Sequence, residues 1–326
     1  MESELSSPAQ RLGVTVPFDA PLEAHRGLYR ALADAGYTDV WSIESAGTDA
    51  FTPLVLAAAW EPRLNVGTGV ASVFTRGPGL LAQTAAALAE AAPGRATIGV
   101  GVSSAVFVER WNSVPYVKPY QRARDVLRVL RSALAGERTD LDGETLQVRG
   151  IRLGRKPAAA PPVVLAALRE GMIRLAARHA DGVMTNWVSP ADVRQVVQTY
   201  RDAGGSGTVV DRIMVCPNPD AELVRTSVKP LIARYLSVPG YAEFQRWLGH
   251  ADQLEPVWRA WHDGRRDEAA AAVPDELVDG LVVHGTPEQC REGLRQYREA
   301  GVTLPVVSIM PFGVDAFEGA LALAGR

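Results

Sequence analysis

Two pairs of glycines, Gly67 with Gly69 and Gly99 with Gly101, stand two residues apart inside neighbouring apolar runs. Glycine is costly inside a strand, and there it often marks a bulge or a place where a ligand or another backbone comes close. The pattern therefore points either to a ligand held against the main chain or to strands that need room to pack. Groups suited to other chemistries are scattered. The five histidines, His25, His179, His250, His262 and His284, have neither HExxH spacing nor a cysteine partner, so no metal site is expected. Cys216 and Cys290 fit no metal or redox spacing. There is no GxSxG elbow and no GxxxxGK[ST] loop, and Gly99 to Ser104 lacks the third glycine of a dinucleotide fingerprint.

The elements that must position these residues are read outward from Arg63 to Ser104. Leu64 to Val73 is an apolar run that reads as a strand, Gly77 and Pro78 break it, and alanine-rich Leu80 to Ala92 favours helix. Ala96 to Val102 reads as the next buried strand. This strand, helix, strand unit recurs along the chain. Further strands are expected at Leu12–Val16, Val40–Ile43, Pro161–Ala167, Gly182–Asn186, Arg212–Cys216 and Leu304–Met310, with helical segments after each of the first seven strands. Asp142-Gly143 signals a hairpin within Asp140–Gly154, outside any parallel sheet. Residues 105–119 lack a sustained period, and Ala221–Leu281 reads as one crossover enlarged by extra helices.

Eight strands alternating with helices predict an α/β fold, a (β/α)8 TIM barrel forming a single domain over 1–326. Insertions follow strands 4 and 7, at about 105–160 and 217–284, and a polar tail occupies residues 1–11. A doubly wound open sheet is the alternative. In such barrels the chemistry sits at the C-terminal ends of the strands. Those positions include Phe18, Glu44, Ser45, Val70 to Phe74, Val102 to Ser104, Leu168 to Met172, Asn186 and Trp187. They are rich in glycine, serine and apolar residues and poor in acids, histidines and lysines. Such a site looks built to hold a cofactor that carries the reaction itself.

Composition narrows the partners. The chain has 326 residues, is 47% hydrophobic and 22% charged, and carries a formal charge of -3 without a long run of either sign. Nucleic acid and anionic membrane are poor partners for it. No uncharged stretch is long enough to span a bilayer, residues 1–11 have no apolar core of a signal peptide, and the unpaired cysteines suit a reducing cytosol, so a cytoplasmic protein is expected.

The ordered segments VWSIESAGTDAF (40–51), VGTGVASVFTRGP (66–78), PGRATIGVGVSS (93–104), VERWN (108–112) and GTPEQCREGLRQYREAGV (285–302) resemble the luciferase-like family of flavin and deazaflavin barrel enzymes. More narrowly the chain is similar to the branch of oxidoreductases that use coenzyme F420. The resemblance implies a non-prolyl cis peptide at Gly69–Val70, in a bulge with Ala71 that backs the deazaflavin ring. It implies a phosphate site at Arg169, Glu170, Gly171 and Met172, where a helix start offers free N–H groups. Ser103 and Ser104 would donate to the phosphate or the ribityl hydroxyls. Glu44 falls where relatives place an acid near the cofactor. Ser45 replaces the histidine of the members that act on sugar phosphates, so their proton-transfer chemistry does not carry over, and Glu44 is nominated for the catalytic role. Phe18, Phe74 and Trp187 would wall the substrate pocket. Arg76, Arg110, Lys118 or Arg155 would attract the polyglutamate tail of the coenzyme.

The expected function is hydride transfer between F420 and a small-molecule substrate, by a homodimer. The alternatives are a monooxygenase using reduced FMN and oxygen, and a flavin-binding barrel without catalysis.

Overall fold

The computed structural model describes residues 11–324; the polar tail read at 1–11 lies outside them except for Arg11. Eight parallel strands close on themselves: β1 (Gly13–Val16), β2 (Asp39–Ser42), β3 (Asn65–Thr68), β4 (Ala96–Gly101), β5 (Val163–Ala166), β6 (Gly182–Asn186), β7 (Thr208–Cys216) and β8 (Leu304–Ile309). Each pairs with its neighbours in order, and β8 returns to β1 through Gly13 opposite Val306. The fold is a TIM barrel, as the strand count predicts.

The helices form where the local chemistry asks for them. Pro287–Glu299 opens with a complete capping box, Thr286 and Gln289 satisfying each other's backbone N–H. Pro190–Asp202 has Pro190 in its first turn and Ser189 as a cap that accepts from Asp192 N at 3.1 Å. The helix Pro78–Ala91 buries Leu81, Ala85 and Leu88 against the outside of the barrel.

Inside, side chains alternate along each strand. Trp41, Val164, Met184, Val210, Leu304 and Val306 fill the barrel centre, with Val70 packed on top of them. Gly67 is explained here: a Cβ on it would stand 2.5 Å from the Trp41 ring. Gly99 likewise lets β4 approach the Thr68 carbonyl, where no Cβ would fit. For these two of the four strand glycines the requirement is packing, and Gly101 makes room for Val70, whose Cγ2 would lie 2.7 Å from an added Cβ.

Several boundaries differ from the sequence reading. The run Leu64–Val73 is two strands, β3 and the short Ala71–Ser72, separated by a cis peptide at Gly69–Val70. The segment 105–119 contains a short helix, Val106–Trp111. The hairpin pairs Thr139–Asp142 with Gln147–Ile151 outside the barrel. The insertion after β7 holds five helices between Ala221 and Leu281, and then Val282–His284 adds a strand beside β7. Strand β7 begins four residues earlier than read, and a helix, Ala316–Ala324, follows β8.

Candidate active site

The mouth of the barrel at the strand C-termini has two unlike halves. Beside β3 and β4, Val70 lies over Trp41 and Met184 and forms an apolar floor. Ala71 is buried and paired with Val100. Glu44, just beyond β2, does not project free into this space. Its Oε2 accepts from Ser72 N at 2.9 Å and its Oε1 from Arg76 Nε at 2.6 Å. Arg76 also reaches Asp49 at 3.4 Å and lies over the Phe51 ring. The carboxylate thus ties the turn after β2 to the loop that follows Ala71–Ser72. Ser45 sits in the exposed turn, where its Oγ accepts from Gly47 N.

Beyond β4, Ser103 is exposed and holds a positive φ of 59°. A non-glycine residue in that region costs of order 1 kcal/mol or more, and such positions cluster at ligand sites. Its carbonyl accepts from Tyr116 Oη at 3.4 Å, and the Tyr116 ring lies 4.9 Å from that of buried Phe74. Ser104 Oγ accepts from Phe107 N at 3.3 Å, just ahead of the next helix. Beyond β5, Arg169 precedes the helix Glu170–His179 in extended conformation, with no side chain capping the first turn. Arg169, Glu170 and Gly171 are exposed, and a Cβ on Gly171 would meet nothing within 4 Å. Glu170 pairs with Arg174, Arg169 reaches Glu243 only at 3.9 Å, and Met172 packs partly against the core.

The other half of the mouth is polar, and the sequence reading missed most of it. Arg212, in the middle of β7, points inward. Its Nε donates to Thr15 Oγ1 at 3.2 Å and its Nη2 to Ser308 Oγ at 2.7 Å. Burial pulls its pKa down, opposed by the nearby phenols of Tyr235 and Tyr241. Asn186 is opposite Arg212 in register and accepts from Tyr241 Oη at 3.1 Å. Trp187 has a φ of 54°, lies tilted against Tyr235 with ring centroids 5.3 Å apart and leaves its buried indole N–H without a protein acceptor. The signal for Arg212 was alternation: in the run Asp211-Arg212-Ile213-Met214 one of the two charges must face the barrel interior.

Phe18 packs its ring between His25 and Phe317. Of the four basic residues, Arg76 is committed to Glu44 and Arg155 to Glu90, whereas Arg110 and Lys118 are exposed. No helix among the described residues is long and apolar enough to cross a membrane.

The geometry can be set beside known proteins. A Mycobacterium tuberculosis protein, "Putative coenzyme F420-dependent oxidoreductase Rv3520c", is 29% identical over 319 residues, covering 88% of this chain and 91% of its own. The 5,10-methylenetetrahydromethanopterin reductase of Archaeoglobus fulgidus is 26% identical over 294 residues, covering 86% and 88%. Among solved structures, the coenzyme F420-dependent tetrahydromethanopterin reductase of Methanopyrus kandleri superposes with a TM-score of 0.80 at 19% identity, covering 97% of both chains. The sequence profile of the luciferase-like monooxygenases matches residues 3–304, which spans the first seven barrel strands and reaches the first residue of the eighth, and the chain belongs to that family.

Proposed function

We propose that the chain is an F420-dependent oxidoreductase that transfers a hydride between bound deazaflavin and a small organic substrate. The observation that carries this reading is the division of labour in the mouth. Glu44, the acid nominated for the catalytic role, has both oxygens occupied, whereas an apolar floor and an uncapped helix start are open. A site with its acid so engaged suits a reaction done by a cofactor, for which the protein supplies position. The name of the Mycobacterium tuberculosis relative supports F420 over FMN.

The residues present fit the group. The first-turn amides of Glu170, Gly171 and Met172 are the orphan donors of a helix start, and the bare Gly171 leaves space before them. They would hold the phosphate, with Arg169 adding charge and Ser103 a hydroxyl. Val70 and Ala71 would back the ring. When bound, deazaflavin supplies the hydride-exchanging carbon C5. Phe74 and Trp187 would limit the space on the substrate side and exclude water. The reading includes a homodimer in the cytoplasm, which light scattering on the purified protein tests in its first part.

The experiment is a titration of the protein with F420 and with FMN, followed by quenching of each cofactor's fluorescence. Tight binding of F420, weakened at least about tenfold by Arg169→Ala, supports the reading. Tight binding of FMN alone would move the assignment to an oxygen-using reaction, and failure of both would remove the site at Val70 and Gly171.

A further inference from the structure

We propose that Arg212 anchors a carboxylate of the substrate, on the side of the barrel across from Val70. This rests on the reading of the mouth as the site of hydride transfer and deepens it to a substrate class.

Strands β3 and β7 stand four apart in a closed barrel of eight, so Arg212 faces the Gly69–Val70 bulge over the space between them. Its flanking inward neighbours on β7, Val210 and Met214, are apolar and buried. Two neutral hydroxyls, Thr15 Oγ1 on β1 and Ser308 Oγ on β8, orient the guanidinium. Neither neutralises it. Among the described residues no carboxylate lies within ion-pair distance, and Nη1 donates to no protein acceptor. The adjacent acid, Asp211, is buried on the opposite face of the same strand and has no contact with it. Arg76 and Arg124, also part-buried, are matched with Glu44 and Asp125, and Arg95, Arg122, Arg201 and Arg298 donate to main-chain carbonyls, whereas Arg212 has only the two hydroxyls.

Arginine does not discharge by losing its proton, so burial without a counter-charge costs free energy that a ligand can recover. Arg212 is only half-buried and so can be reached from the mouth. The planar guanidinium matches the two oxygens of a carboxylate. A phosphate dianion is a poorer match, because among the described residues no second cation acts on Arg212; the titratable groups that do are the phenols of Tyr235 and Tyr241.

The test is calorimetric titration of the full chain, with and without F420, using benzoate against benzamide, propionate against propionamide, and inorganic phosphate. The expected result is that each carboxylate binds at least about tenfold tighter than its amide, that Arg212→Met removes the difference, and that Arg212→Lys keeps part of it. Equal binding of acid and amide to the native protein overturns the proposal, as does unchanged benzoate binding by R212M or a preference for phosphate. If R212M weakens F420 while benzoate binding persists, the cation serves the cofactor and the proposal fails. Should R212M not fold, the comparison of benzoate with benzamide on the native protein decides alone. A failure of F420 to bind is read in the cofactor titration and leaves the acid-against-amide comparison intact.

Discussion

Arg76 Nε donates to Glu44 Oε1 at 2.6 Å, with side chains only 18% and 8% exposed. Because the other Glu44 oxygen accepts from Ser72 N, the pair joins two catalytic-face loops that are separate in sequence. Removing one partner leaves the other charge buried and unpaired, a loss of roughly 3 kcal/mol or more. Glu44→Gln and Arg76→Met should each lower stability in urea by about that amount, and the double variant should lose much less than the sum. Once a substrate is in hand, Glu44→Gln should leave the shape of the pH–rate profile intact. A profile that loses its acidic limb in this variant would return Glu44 to acid–base work.

Gly67 and Gly171 lie in opposite situations. An alanine at 67 would drive its Cβ to 2.5 Å from the Trp41 ring, which is itself walled in by the barrel interior. Overpacking of this kind costs about 1–3 kcal/mol. At 171, in the first turn of a helix, the added methyl meets nothing, and alanine lowers the entropy of the unfolded chain. Gly67→Ala should destabilise the protein, and Gly171→Ala should raise its stability by about 0.5–1 kcal/mol. Thermal unfolding of the two variants reads both signs, and a stable G67A protein would show that Trp41 can move.

His250 Nε2 meets Asp192 Oδ2 at 2.9 Å and links the helical insertion after β7 to the helix Pro190–Asp202. The hydrogen bond to Asp192 raises the His250 pKa above its usual value, against the opposing effect of burial. For Asp192, burial alone would raise the pKa, but hydrogen bonds from His250 and Ser189 outweigh it and hold it low. The histidine's contribution is therefore complete below about pH 6.5, the unfolded value, and is lost as pH rises through the higher folded one. His250→Gln should cost roughly 1.5 kcal/mol at pH 6 and little at pH 9. Equal losses at the two pH values would show that the imidazole acts by packing alone.

The barrel was legible because each buried parallel strand reads as an apolar run and the turns between carry strong breakers. Boundaries failed where tertiary pairing made the decision. Val282–His284 is a strand only because Met214 to Cys216 offers it an edge, and Leu64–Val73 divides at a peptide bond whose neighbours are Trp41 and Met184. The engagement of Glu44 was hidden for the same reason, since Arg76 lies 32 residues away. Reading only the residues just beyond each strand found Ser103 and Trp187, both with positive φ, but passed over Arg212, which enters the mouth from within β7.

Asp211, one residue before Arg212, faces the helix layer, where both carboxylate oxygens are buried without a partner. Burial raises its pKa well above the ordinary value. Below about pH 3.9 the folded and unfolded chains are both protonated at this group. As pH rises from there, the unfolded chain releases the proton while the folded chain retains it, so stability falls until the folded pKa is passed. Asp211→Asn keeps the shape of the side chain and removes that slope. The variant should gain on the native protein between pH 4.5 and pH 8 in urea unfolding, and equal pH dependence in the two would mean that a hydrogen-bond donor reaches the Asp211 carboxylate in solution.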